Sequence, residues 1–358
     1  MRRAVAVLFV LTISCGGDDG SDSPDAGGGG PADAAAIADA APALPDASLD
    51  PMTLAETGLY ADPATEALAP GVFEYEVNYD LWSDGATKRR FVYLPAGEAI
   101  DTSDMDFWHL PEGTRLWKEF ARDGVRVETR LLWKQGPTED DWYSMSFAWN
   151  EAGNEAVAAA IGVEDALGTE QDIPSAADCK TCHDRQPGFA LGFGALQLDH
   201  ADGDMNLVAL VEQGRLSNPP AGSTAPIFPL PGGPVDQAAL GYLHGNCGPC
   251  HNPSSDVQDR TDLVWHLETD ALGSVEETSI FVHAVGVVPQ IPLFGTPEPI
   301  TSIIEPGNRE ASAAFHRMNL RDPAEDSLVP MPPLSTEVVD SEGGVAAVGA
   351  WIDVLGAN

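Results

Sequence analysis

Basic residues are scarce in this chain: 18 Lys and Arg stand against 56 Asp and Glu, a formal net charge of −38 over 358 residues. Phosphate recognition needs a basic footprint, so nucleic acid is excluded as a partner class. Adsorption to anionic lipid headgroups is disfavoured for the same reason. Cysteine is rarer still, at five. That is too few for a disulfide framework at this length, and an odd count points to a thiol with another use. Beyond residue 13, no apolar run approaches the roughly 20 residues that span a bilayer. A hydrophobic content of 43% nevertheless rules out a wholly disordered chain. The length allows about two domains.

At the N-terminus, Arg2 and Arg3 precede an apolar stretch from Ala4 to Ile13, followed by Ser14 and Cys15. This pattern predicts a secretory signal peptide over 1–15, too short for a transmembrane helix. Ending on a small residue and a cysteine, it resembles a bacterial lipoprotein signal, in which the cysteine becomes the lipidated N-terminus. The alternative is an ordinary signal peptide with an incidental cysteine. Residues 16–50 contain no Lys, Arg or aromatic residue and carry eight aspartates. Such a composition buries too little apolar surface to order itself, and as a coil it reaches about 30–35 Å. The expectation is an exported chain, in the periplasm or at the cell surface, lipid-anchored through Cys15 and lifted off the membrane by a tether.

The other four cysteines form two C-x-x-C-H segments, Cys179-Lys-Thr-Cys182-His183 and Cys247-Gly-Pro-Cys250-His251. This is the attachment pattern for c-type haem. Two thiols one turn apart add to the two vinyl groups of one porphyrin, and the adjacent histidine lies beneath the iron as proximal ligand. A zinc ribbon usually spaces its pairs by about 15–20 residues, much less than the gap between Cys182 and Cys247. A thioredoxin-like pair needs no following histidine. Two covalently attached c-type haems are expected, with His183 and His251 as iron ligands.

Ahead of Cys247, Ala238, Ala239, Tyr242 and Leu243 show helical spacing. Near the end of the chain, Val345, Val348, Ile352 and Leu355 predict a second helix, with Trp351 beside them. Between these, residues 260–305 read as inserted short strands and loops, with four prolines from 289 to 299. His266, His283 and His316 read as surface residues or propionate neighbours. Around His183 no comparable module is visible. A helix is predicted over 204–213, with Gly214 as its stop. Candidate sixth ligands for the first haem are Met205 and His200, with a ligand from elsewhere or an open position as the third choice. A segment this small cannot wrap a haem alone and must pack on a neighbour, which would bring the two haems together.

Residues 65–165 differ in character. FEYEVNYDL, KRRFVYLP, TRLWKEF, RVETRLLW and YSMSFAWN alternate as half-buried antiparallel strands, and six of the eight tryptophans lie between 82 and 149. Two readings compete. Either Lys88, Arg89 and Arg90 form a cationic binding patch beside an aromatic platform, or a tryptophan-rich core is wrapped by solvated Lys and Arg. The second is favoured.

The order helix, C-x-x-C-H, Met-Pro-Pro and closing helix resembles the small class I cytochrome c fold. That resemblance implies Met331 as the second axial ligand of the second haem; ordinary packing of Met331, or ligation by Met318, are the alternatives. More widely, LWSDGATKRRFVYLP, LPEGTRLWKEF, VETRLL, CKTCH, YLHGNCGPCHNP, IEPGNREAS and MPPL, spanning about residues 75–355, resemble bacterial periplasmic dihaem c-type cytochromes with an N-terminal β-rich domain. The resemblance implies an electron-transfer protein. The expected architecture is α+β and multi-domain. A leader (1–15) and tether (16–50) precede an antiparallel β-sandwich-like domain (51–165). A first haem-binding segment (166–234) then leads to a second, class I cytochrome c-like haem domain (235–358) carrying the 260–305 insertion. The expected partner is a redox protein with a basic docking face. The rival functions are a dihaem peroxidase-like oxidoreductase with one open-site haem, and a binding module in which the β-rich domain grips a partner and the haems report it.

Overall fold

The computed structural model describes residues 50–62, 65–291, 293, 299–321, 330–333 and 336–356. The leader, Cys15 and all of the tether but Asp50 lie outside the described residues. The fold is mixed α+β. Its centre is an antiparallel sheet of six strands in sequence order: β3 (Val72–Tyr75), β4 (Thr87–Tyr93), β5 (Arg115–Arg122), β6 (Val125–Lys134), β7 (Trp142–Trp149) and β8 (Ala156–Ala158), after a small β1 (Tyr60–Asp62) and β2 (Ala67–Leu68) ribbon. A two-sheet sandwich was the expectation, but the second layer is not a sheet. One face of the meander packs under the N-terminal segment, where Leu54, Leu59 and Tyr60 cover Phe91, Trp117, Leu131, Trp133, Phe147 and Trp149. The other face packs under Phe189, Phe193, Leu198 and Leu207 from the helical part of the chain. The inner strands β4 to β7 therefore carry buried residues on both faces, although alternation alone suggested one wet side.

Seven of the eight tryptophans are buried, and Trp82 is half-buried. Trp117 donates to Thr57 Oγ1 at 3.1 Å and Trp149 to Thr129 Oγ1 at 3.0 Å, so their indole N–H groups are satisfied in place. The basic residues correct both sequence readings. Lys88 and Arg90 alternate onto the inner face, with side chains only 4% and 5% exposed, and Arg89 alone points outward. They form neither a surface patch nor a solvated fringe.

The predicted strand through Leu81 stops at Tyr75. Asn78 and Tyr79 instead bond to the Gln197 backbone and side chain, which takes them out of the sheet and onto the helical layer. Seven helices follow among the described residues: α1 (Ala176–His183), α2 (Ala195–Leu198), α3 (Leu207–Glu212), α4 (Pro234–Asn246), α5 (Ser279–Ala284), α6 (Ala313–Met318) and α7 (Gly344–Val354). Pro234 opens α4, where its missing N–H leaves no bond unmade. α4 crosses α7 at Gly344, where a Cβ would lie 1.8 Å from the Tyr242 ring. Trp351 of α7 donates to Asp236 of α4 at 3.1 Å. Val345, Val348, Trp351 and Ile352 fill the core between them with Leu240 and Leu243. Within 260–305, SIFVHA is helix α5 and not strand. Thr278 caps it, accepting from the Phe281 N–H at 3.3 Å, and Ile280 and Ala284, one turn apart, enter the same core. Among the described residues no helix is long and apolar enough to cross a membrane.

Candidate functional site

The first C-x-x-C-H segment ends α1. Ser175 caps that helix, its hydroxyl donating to Asp178 at 2.6 Å and its backbone N–H at 3.0 Å. Cys179, Cys182 and His183 then fall at i, i+3 and i+4, on one side of the helix. α1 lies against β7, with the Cys179 thiol beside Ser146 and Arg130. The His183 Nδ1 bonds the Phe189 carbonyl at 2.6 Å. Because the partner is a carbonyl, Nδ1 carries the proton and Nε2 presents its lone pair, the form that binds a metal. Burial, then Lys118, pushes the His183 pKa down to about 3, so the ring is neutral. The residue is nonetheless only half-buried. Gly188 makes the return to Phe189 feasible. Its φ is +79°, and a Cβ there would sit 2.1 Å from the Trp108 carbonyl oxygen.

The second segment begins where α4 stops. Cys247 caps the helix, and the Cys250 and His251 amides donate back to its carbonyl at 3.1 and 2.8 Å, holding the segment in a tight turn. Burial pushes the Cys247 thiol up to about 12 and also raises Cys179, Cys182 and Cys250. All four are protonated thiols and none forms a disulfide. Burial pulls His251 down to about 4. The Leu263 backbone favours its charged form, but that contact falls short of hydrogen-bond geometry at Nδ1, which has no partner among the described residues.

The two segments meet. Asn252, fully buried, donates to the Arg185 carbonyl at 2.9 Å, and Arg185 Nε donates to Asp256 at 2.9 Å. The Arg185 guanidinium also lies on the Cys250 thiol, and Cys250 is near enough to Cys182 to oppose its ionisation.

The remaining candidate ligands are spread out. Met331 is half-buried; its amide donates to the Arg317 carbonyl at 3.0 Å and its carbonyl accepts from Arg321 at 3.3 Å. Arg317 is close enough to His251 to help depress it, so Met331 is on that side of the molecule. Met318 is core, packed with Val348 and Trp351. Met205 is 2% exposed, packed among Leu198, Leu207 and Leu210. His200 bonds the Glu76 carbonyl through Nε2 at 3.1 Å, while its Nδ1 has no partner among the described residues. His283 and His316 are held by the Asp262 and Glu310 carbonyls at 2.8 Å each.

His266 is buried and not a surface residue. Its ring lies 4.7 Å from that of His244 and stacks under Phe107 at 4.4 Å. His244 Nδ1 accepts from the Leu267 amide at 3.1 Å. Both histidines line a cavity of about 50 Å³ between the sheet and the two segments, together with Arg90, Lys118, Asp106 and Trp108. Sequence reasoning missed this group. The available signal was a histidine, His244, on the apolar face of a helix three residues before a haem-type cysteine. Among the described residues no three His, Cys, Asp or Glu side chains converge on a metal ion. No match to the chain was found among protein families, curated proteins or solved structures.

Proposed function

We propose that this chain is an exported, lipid-tethered dihaem c-type cytochrome that carries electrons between partner proteins. The observation that carries the reading is the pairing of the two C-x-x-C-H segments. Each presents two protonated thiols and a neutral histidine, and Arg185 and Asn252 join them back to back.

The residues present fit the group. Cys179 and Cys182 would hold one haem and Cys247 and Cys250 the other, with His183 and His251 as proximal iron ligands. When bound, haem supplies one-electron iron chemistry, at a potential set by its axial ligands and surroundings. His183 suits the role because its Nδ1–H is fixed on Phe189 and its Nε2 is unprotonated. The α4–α7 crossing ahead of and behind the second segment supports a class I cytochrome c-like module there. Met331, on a proline-flanked loop on the His251 side, is the proposed second axial ligand of that haem. The first haem's sixth ligand is left between Met205, His200 and neither. Cys15 is the proposed lipid anchor, and it provides the only membrane attachment. The acidic chain suits a redox partner with a basic face and no nucleic acid.

The test is expression with its leader in a host that matures c-type cytochromes. Intact mass and a pyridine haemochrome spectrum should show two covalent haems, and one after Cys179→Ala with Cys182→Ala. A mature protein carrying no covalent haem overturns the reading.

A further inference from the structure

Resting on that dihaem reading, we propose that the inner face of the β-sheet is a carboxylate-binding wall, built from Lys118 with Arg90, that receives the propionates of the haem held at Cys179 and Cys182. The strand register sets Arg90 of β4 opposite Lys118 of β5, and Lys118 opposite Arg130 of β6. Adjacent strands lie about 4.8 Å apart, and like charges directly opposite one another destabilise a sheet. A chain with so few cations has placed three of them in one row, Arg90 buried and Lys118 and Arg130 half-buried.

The row is not neutralised by the protein. Asp80 pairs with Arg90 and, at 3.3 Å, with Lys88. Glu128 takes Arg130 through two bonds, at 2.9 and 2.6 Å. Four cations on this face thus share two bonded carboxylates; Asp106 lines the same cavity but accepts from the Thr269 amide at 2.8 Å and is bonded to none of the four. Lys118 is the one left over: its Nζ donates to the Leu191 carbonyl at 3.2 Å, and no carboxylate among the described residues is bonded to it. A buried charge without its counter-ion is expensive, and an anion from outside the polypeptide relieves that cost.

The position of the row selects the anion. Arg130 lies close to both Cys179 and Cys182, and Lys118 close to His183. A porphyrin carries its propionates on the edge opposite the vinyl groups that take the two thiols, so Arg130 marks the cysteine end of the row, and Lys118 and Arg90, one and two strands further along, are the cations spaced to meet the propionates. Arg90 and Lys118 also line the cavity with Trp108, whose buried indole N–H has no partner among the described residues. Cations and neutral N–H donors together suit a carboxylate. A free oxyanion has the same chemistry, and the experiment separates the two sources.

The full mature protein is prepared as wild type, Lys118→Gln and Lys118→Arg. Covalent haems are counted by mass, and both midpoint potentials are followed by optical redox titration with and without inorganic sulfate. A cation beside a propionate favours the reduced haem. In Lys118→Gln one midpoint should therefore fall while the other stays, with two haems and unchanged EPR ligand signatures. Lys118→Arg should restore the midpoint, and sulfate should leave the wild type unmoved. If Lys118→Gln does not accumulate, Arg90→Gln must lower that same midpoint. Unchanged midpoints in a folded, two-haem variant overturn the proposal while the dihaem reading stands, and so does a changed ligand signature. A sulfate-dependent wild-type midpoint that the variant lacks assigns the row to a free oxyanion and overturns the propionate source. A wild type without covalent haem removes both the reading and the proposal.

Discussion

Asn252 holds Arg185: its side-chain amide donates to the Arg185 carbonyl at 2.9 Å and also to the Pro249 carbonyl at 2.9 Å, while its Oδ1 accepts from the Ser254 amide at 3.0 Å. One fully buried side chain thus ties the residue two places after the first C-x-x-C-H to the residue directly after the second. A bond at that point keeps the two C-x-x-C-H segments at fixed separation without any helix running between them.

Asn252→Ala removes the donor from those carbonyls and leaves them buried. Each unsatisfied group costs about 1–3 kcal/mol, so a total loss of roughly 2–4 kcal/mol is expected in urea unfolding. Asn252→Asp should lose nearly as much, because it keeps the shape and removes the donor. A change under about 0.5 kcal/mol would mean that the two segments are held by other contacts.

Gly188→Ala tests how His183 is oriented. The position needs φ near +79°, and the added Cβ meets the Trp108 backbone. The expected cost is about 2 kcal/mol or more. In the haem-loaded protein the spectrum of one haem should change, because Phe189 can no longer reach Nδ1. An unchanged spectrum in a folded variant contradicts that role for the Phe189 carbonyl.

These local features were legible because chemistry fixes their spacing. The C-x-x-C-H segments, α4 and α7 follow from neighbours within a turn or two. The strands were legible from alternation, but not what lay on each face. Lys88 and Arg90 look like a surface patch, but Lys88 donates to the Leu81 carbonyl, both pair with Asp80, and the segment that packs on this face of the sheet, with Phe189 and Phe193, comes about a hundred residues later. The end of β3 was invisible for the same reason: Gln197 captures Asn78 and Tyr79 from outside the local pattern. His266 read as a surface residue because Phe107 and His244, which enclose it, come from separate parts of the chain.

The histidines make the haem-free protein acid-sensitive. His183 is depressed to about 3, His251 and His266 to about 4, and His244 lies well below 6.5, all chiefly through burial. Their folded pKa values are below the unfolded one, so the stability of the neutral form is complete above about pH 6.5 and is lost as pH falls towards 4. Each contributes a slope of at most about 1.4 kcal/mol per pH unit. Asp106, raised by burial to about 6, opposes the trend across part of this window. Haem-free protein made without residues 1–15 should show urea midpoints falling steeply from pH 7 to pH 5. If His183 and His251 ligate haem, the fall should be shallower in the haem-loaded protein. Equal slopes in the two forms would argue against ligation by these histidines.

Met331 and Met318 separate ligation from packing. Met331 is half-buried on its loop, whereas Met318 is 5% exposed in the core beside Val348 and Trp351. If Met331 ligates the second haem, Met331→Ala removes a thioether that favours the reduced iron. The midpoint of one haem should then fall, and its sulfur-to-iron charge-transfer band should vanish, with little loss of stability. Met318→Ala should do the reverse, costing about 2–5 kcal/mol for the deleted core volume while leaving both midpoints in place. If the band instead survives in Met331→Ala and disappears in a folded Met318 variant, the ligand is Met318, and the loop of Met331 with its adjoining prolines serves only to close the structure over that side.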